Sequence, residues 1–276
     1  MTGPSIPEAA PGPLDDAIGL AAVHIRAARA LVIATGAGAS ADSGLPTFRD
    51  ENGHWSDERI RSLATPEAFA SRPAEAWRFY LSRVEAARRA RPHAGYAALS
   101  SLARHVGEYR CITSNVDSML ERAGLASFRV CGDIFEAQCR SRCGIGTFPL
   151  DDAIDASTLP KCPRCGAIAR TAVCLFGDGE WAYEGFLAEQ VEYQKWLRHA
   201  PAPLVVLEVG AGRRLPIIRG AAERAAGNRV LIRVNLHEAQ VSRACDVSLE
   251  GEALSVLTAL SRRVCERDGV VDTRAS

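Results

Sequence analysis

Four cysteines are spaced for a metal. Cys139 and Cys143 form a C-x3-C pair, Cys162 and Cys165 form a C-x2-C pair, and 18 residues lie between the two. Each pair carries a following glycine, Gly144 or Gly166, as a tight turn needs. Two such turns present four soft thiolates, which is the ligand set of tetrahedral zinc. A site closed by four sulfurs keeps no open position, so the zinc is expected to be structural and to replace a core that a Cys-, Gly-, Arg- and Pro-rich stretch lacks. Nine cysteines in all is an odd number for a chain of 276 residues, which fits thiols and metal thiolates in a reducing compartment better than a disulfide framework. Cys111, Cys174, Cys245 and Cys265 read as small packed hydrophobes. Cys131, in "VCGDIF", stands outside the metal set and raises a separate question.

A second chemistry is written in "TGAGASADSG" (35–44), where Gly36, Gly38 and Ala41 have G-x-G-x-x-A spacing after the apolar run "LVIAT". Glycines there let backbone approach a pyrophosphate, and the following helix start offers N–H donors. The acidic residue that a hydride-transfer dehydrogenase carries about 20 positions on is not found, because Asp57 and Glu58 fall in the polar loop "ENGHWSDERI". Beyond the glycines lies "SGLPTFRD" (43–50), irregular chain of the kind that closes over a ligand. "TSNVD" (113–117) places Asn115 and Asp117 at the end of another apolar run, either as polar partners for a ligand or as caps of a helix over 116–122.

Together these stretches resemble the sirtuins, NAD-consuming protein deacylases and ADP-ribosyltransferases. "GAGASADSGLPTFRD" resembles their opening signature, "TSNVD" their Thr-Gln-Asn-Ile-Asp motif and the paired cysteines their zinc ribbon, while "FGD" (176–178), "VGAG" (209–212) and "RVN" (233–235) match further landmarks in order. The likeness spans about residues 14–264. It implies an NAD co-substrate and one structural zinc, in a Rossmann-like domain with a smaller zinc-bearing domain beside the NAD cleft. By that resemblance Gly36, Ala37, Gly38 and Ser40 would hold the diphosphate, and Pro46, Phe48 and Arg49 would belong to a loop over the nicotinamide ribose. Ser114, Asn115 and Asp117 would line the nicotinamide pocket. Gly210, Ala211 and Gly212 stand where the family has Gly-Thr-Ser, and Asn235 would meet the adenosine ribose.

The resemblance also locates a departure. Where deacylating sirtuins have a histidine that deprotonates a ribose hydroxyl, this chain has Cys131. A thiol with a reference pKa near 8.5 is a poor substitute for imidazole at pH 7, and losing a general base costs roughly 10²–10⁴-fold in the steps that need it. The segment "CLFGDGEWAYEGF" (174–186) and "LEVGAGRRLPIIRG" (207–220) look closer to the macrodomain-linked microbial sirtuins, which lack the histidine and transfer ADP-ribose to protein, although those usually carry glutamine at this position. The leading expectation is therefore protein ADP-ribosylation. NAD-dependent lysine deacylation with an atypical Cys131 comes second, and a sensor that binds NAD or ADP-ribose without turnover comes third.

The elements that must position these groups are set by apolar periodicity. "LVIAT" (31–35), "YRCIT" (109–113), "PLVVLEVG" (203–210) and "RVLIRVN" (229–235) are short apolar runs separated by helical patterns at 14–30, 73–90, 92–104, 214–226 and 250–264. Strands apolar on both faces that alternate with helices predict an α/β fold, a parallel sheet with helices on both faces. The expected organisation is a tail at 1–13, a nucleotide-binding domain from 14–138 and 171–265, an inserted zinc module at 139–170 and a tail at 266–276. With 33 basic and 33 acidic residues, no global field draws the chain to nucleic acid or to an anionic membrane. There is no apolar run of membrane-spanning length, and the first residues lack the order of a signal peptide, so a cytoplasmic protein acting on a protein substrate is expected. The oligomeric state is not legible.

Overall fold

The computed structural model describes residues 12–46, 58–151, 154, 159–179, 181 and 183–266. Its large domain is an open sheet of six strands: β1 (Ala30–Thr35), β2 (Tyr109–Thr113), β3 (Ser127–Arg129), β7 (Leu204–Val209), β8 (Val230–Asn235) and β9 (Val247–Glu250). Their order is β3-β2-β1-β7-β8-β9, and every neighbouring pair is parallel. All six residues of β1 and of β7 are buried, as both-faced apolar runs require.

The twofold alternation of a strand divides those residues between two cores. Leu31, Ile33, Val205 and Leu207 face α1 (Pro13–Ala27), α5 (Ala94–Val106) and α9 (Ala253–Cys265), with Ile18, Ile25, Leu99, Leu102, Leu257 and Leu260 completing that side. Val32, Ala34, Leu204 and Val206 face α7 (Tyr183–His199) and α8 (Ile217–Ala226), against Tyr193, Leu197, Ile218 and Ala222. The helices begin with local signals. Pro13 opens α1 with Asp15 and Asp16 in its first turn, and His93 caps α5 by accepting from the Gly95 amide at 3.0 Å. The parallel sheet covered on both faces is thus present, and β3 and β9 are edge strands of three and four residues that periodicity alone did not reveal.

The small domain is larger than the cysteine stretch. Strands β4 (Gly132–Cys139), β5 (Thr147–Pro149) and β6 (Ala169–Val173) form an antiparallel sheet in the order β5-β4-β6. On it pack α3 (Pro66–Ser71) and α4 (Pro73–Arg89), which come after the short α2 (Glu58–Leu63). Phe69, Trp77, Tyr80, Val84, Ile134, Ala137, Leu150 and Ala169 make a shared core, and the Trp77 indole donates to the Ala169 carbonyl at 2.8 Å. The expectation that this region has little to bury is therefore corrected: residues distant in sequence supply an apolar core, and the metal site adds to it. A buried pair, Arg170 with Asp178 at 2.8 Å, closes the end of that sheet. None of the described helices is long and apolar enough to cross a membrane.

Chain order reverses at β1: the chain moves outward through β2 and β3, then returns to the opposite side of β1 as β7. The carboxyl ends of β1, β2 and β7 consequently open a crevice, the place where open parallel sheets bind ligands.

Candidate active site and metal centre

Two glycine turns interlock at the switch point. The Gly36 amide donates to the Val209 carbonyl at 2.9 Å, and the Gly38 amide donates to the Gly210 carbonyl at 3.0 Å. A Cβ on Gly38 would lie 2.8 Å from the Gly210 Cα, and Gly210, at φ +63°, would bring a Cβ to 2.2 Å from the Ala39 nitrogen. These glycines are thus needed first for contact between loops. Gly36, Ala37, Ser40, Ala211 and Gly212 line the cleft of about 470 Å³ that opens beside them, whereas Gly38 and Gly210 form the layer behind. Asn235 also sits behind. Its Nδ2 donates to the Ala211 carbonyl at 2.9 Å and its Oδ1 accepts from the amides of His237 and Glu238, so its side chain is engaged in bracing the loop.

The other expected groups meet across the cleft. Ser40 Oγ donates to Asp117 Oδ2 at 2.6 Å, so it accepts from Asn115 Nδ2 at 3.0 Å and from the Tyr96 hydroxyl at 2.8 Å. Asn115 Nδ2 also donates to the Gly36 carbonyl at 3.0 Å, which engages both of its hydrogens and turns Oδ1 into the atom that meets a ligand. Asp117 Oδ1 accepts from the Met119 amide at 3.0 Å at the start of α6 (Met119–Arg122), which is shorter than the helix expected over 116–122, and Asp117 also lines the cleft. Burial raises the Asp117 pKa above the usual carboxylate range, against the lowering effect of the Ser40 and Met119 donors. Ser114 and Pro46 line the same cleft. Phe48 and Arg49 lie outside the described residues.

Cys131 lines the cleft as well, and burial, reinforced by neighbouring Cys174, pushes its thiol up to about 12. At neutral pH it is a neutral thiol and takes up no proton. Among the charged, hydroxyl and thiol groups lining the cleft, sequence reasoning missed Tyr80, Arg83, Arg61, Cys174 and Arg214. The signal for the first two was present, since Tyr80 and Arg83 share the helix face of Trp77 and Val84, and an arginine on the apolar face of a helix is unusual. Burial lowers the Arg83 pKa, and its guanidinium stacks 4.4 Å from the Phe79 ring centre.

The four expected metal ligands converge. The sulfurs of Cys139, Cys143, Cys162 and Cys165 all lie within 4.8 Å of one another, and Cys139–Cys165 and Cys143–Cys162 are each 3.5 Å apart. Tetrahedral zinc with bonds of about 2.3 Å places sulfurs roughly 3.8 Å apart, so the cluster is gathered to within about 1 Å of what that ion needs. The backbone amides of Ile145 and Ala167 donate to the Cys143 and Cys165 sulfurs, a contact that favours thiolate.

Comparison with known proteins places this architecture. A family model described as the Sir2 family matches residues 36–193. An "NAD-dependent protein deacylase 1" of Archaeoglobus fulgidus is 34% identical over 245 residues, covering 85% of this chain and 92% of the relative. A protein of Pyrobaculum aerophilum named "NAD-dependent protein deacylase 2" is 36% identical over 249 residues, covering 88% and 94%. Among solved structures, a mutant Sir2 homologue in complex with ADP-ribose superposes with a TM-score of 0.76 at 30% identity, covering 88% of this chain and 95% of that one. A Sir2 homologue in complex with NAD gives 0.74 at 30% identity, covering 88% and 92%. With its motifs in order, its cleft at the sheet's switch point and its four sulfurs gathered, the chain belongs to the Sir2 family and is an NAD-dependent enzyme with a zinc-binding module.

Proposed function

We propose that the chain is an NAD-dependent protein deacylase. The observation that carries the reading is the Ser40–Asn115–Asp117 cluster at the cleft, in a chain whose relatives bear deacylase names over most of their length. Sequence alone ranked ADP-ribosyl transfer first, and these relatives reverse the order. When bound, NAD would supply a nicotinamide–ribose bond whose cleavage leaves an electrophilic ribose carbon. Asn115 Oδ1 would accept from the carboxamide, and the two glycine turns would cradle the diphosphate, while apolar walls from Ile134, Val173 and Leu175 exclude water. The deep end of the cleft presents the Arg83 cation beside the Tyr80 hydroxyl, so an acyl chain ending in a carboxylate suits it better than an acetyl group.

One observation favours the second reading. Cys131, neutral at working pH, leaves the hydroxyl-activating step without a base, whereas expulsion of nicotinamide needs none. Transfer of ADP-ribose to a protein would then be the outcome, as the likeness to the histidine-lacking microbial sirtuins implies.

Labelled NAD incubated with acyl-lysine peptides and protein acceptors separates the readings. O-acyl-ADP-ribose supports deacylation, and label retained on protein supports transfer. Binding of NAD without nicotinamide release would overturn both in favour of a sensor.

A further inference from the structure

Cys131 has a facing partner. The ladder between β4 and β6 pairs Gly132 with Val173 and Asp133 with Ala172. One position further out Cys131 meets Cys174, whose amide donates to the Cys131 carbonyl at 2.9 Å. Facing residues of an antiparallel ladder project to one side with Cα atoms about 4.5–5.5 Å apart, inside the roughly 4.4–6.8 Å that a disulfide spans. The strands are close at this end: a Cβ on Gly132 would fall 2.0 Å from the Ala172 carbonyl oxygen, which also accepts from the Trp181 indole at 3.0 Å. Both thiols line the cleft, Cys131 half-buried and Cys174 exposed. The remaining thiols outside the metal cluster belong to other elements: Cys111 is buried in β2, and Cys245 and Cys265 are exposed elsewhere.

We propose that Cys131 and Cys174 form a redox-modification site, a dithiol on the cleft wall that a hydroperoxide converts to an intrachain disulfide, which inactivates the enzyme. The sulfur of the exposed Cys174 attacks a peroxide oxygen and breaks the O–O bond, giving a sulfenic acid, while the thiol proton goes to the departing hydroxide and makes water. The Cys131 thiol attacks the sulfenic sulfur, the S–S bond forms, and the departing hydroxide takes the Cys131 proton and leaves as water. In sum, two thiols and one hydrogen peroxide give one disulfide and two waters, and a dithiol reductant reverses the change by exchange. The disulfide would fix the position-131 sulfur against β6 and take it out of reach of a substrate at the cleft wall. Oxidation at this pair leaves the four zinc sulfurs untouched. The inference goes beyond acyl or ADP-ribosyl transfer, because nicotinamide release is common to both.

The test uses the zinc-loaded full chain. After treatment with hydrogen peroxide and alkylation, peptide mapping is expected to find a Cys131–Cys174 linked peptide lighter by two hydrogens. Nicotinamide release should fall to background and return on adding dithiothreitol, with no zinc released to a chromophoric chelator. Cys174→Ser and Cys131→Ser should each abolish the linked peptide, and Cys174→Ser should keep whatever turnover it has under peroxide. Three outcomes overturn the proposal: no linked peptide at peroxide levels that oxidise Cys245 and Cys265, a linked peptide with unchanged turnover, or equal inactivation of Cys174→Ser.

Discussion

Asn115 is held by two acceptors on one side, which makes it an oriented group rather than a flexible one. Asn115→Ala should reduce nicotinamide release about 10²–10³-fold, the cost of removing one preorganised polar group, with the melting temperature little changed; a burst or steady-state assay of nicotinamide reads it. Asp117 carries a pH signature. Its proton is bound more tightly than in an ordinary carboxyl because of burial, so its ionised, Ser40-accepting form appears only above the usual value near 3.9. The acid limb of turnover should therefore lie above that value, and Asp117→Asn should abolish the limb while lowering the plateau. The same shift has a sign for stability: the folded state holds this proton longer than the unfolded chain, so ionisation of Asp117 weakens folding as pH rises through the interval between the two values. Cys131→His restores a group with a reference pKa near 6.5 at the cleft, and O-acyl-ADP-ribose formation should rise by about 10²–10⁴-fold if the base step limits turnover. Unchanged product formation would show that position 131 is not a vacant base site.

At the scale of elements, the glycine turns do more than meet a ligand. Gly210→Ala places a Cβ 2.2 Å from the Ala39 nitrogen at a φ of +63°, and should destabilise the chain by more than about 1 kcal/mol in urea as well as weakening NAD affinity. The legibility of the sequence obeys the same physics. Long runs apolar on both faces marked β1, β2, β7 and β8, because burial between two helix layers leaves no polar alternation to confuse them. β3 and β9 span three and four residues at the edges, too short to impose a period. Four cysteines in two tight turns were legible because metal chemistry restricts spacing more strongly than packing does. Tyr80 and Arg83 were legible only as an unusual pair on an apolar helix face, since their place at the cleft comes from β4 and β6, some 50 or more residues further along, laid against α4. Asn235 was expected to meet a ligand, whereas its side chain braces the loop through the Ala211 carbonyl, a contact that depends on tertiary geometry.

At the scale of the molecule, the cleft lies where the large sheet and the small domain meet, so occupancy and metal should both register in global stability. NAD at about 100 times its Kd should raise the unfolding free energy by about 2.7 kcal/mol, measured as a shift in melting temperature; no shift would argue against binding at the cleft. Cys162→Ser, or zinc removal by a chelator, should loosen β4–β6 first, while the α7 and α8 side of the large sheet persists by hydrogen exchange. The path of the chain carries a further consequence. It leaves the large sheet after β1 to build α2–α4, returns for α5, β2 and β3, leaves again for β4–β6 and comes back as α7, crossing the boundary four times. No contiguous piece of the gene encodes the zinc lobe, so a nick between α4 and β4 would leave two polypeptides that regain the lobe only by finding each other.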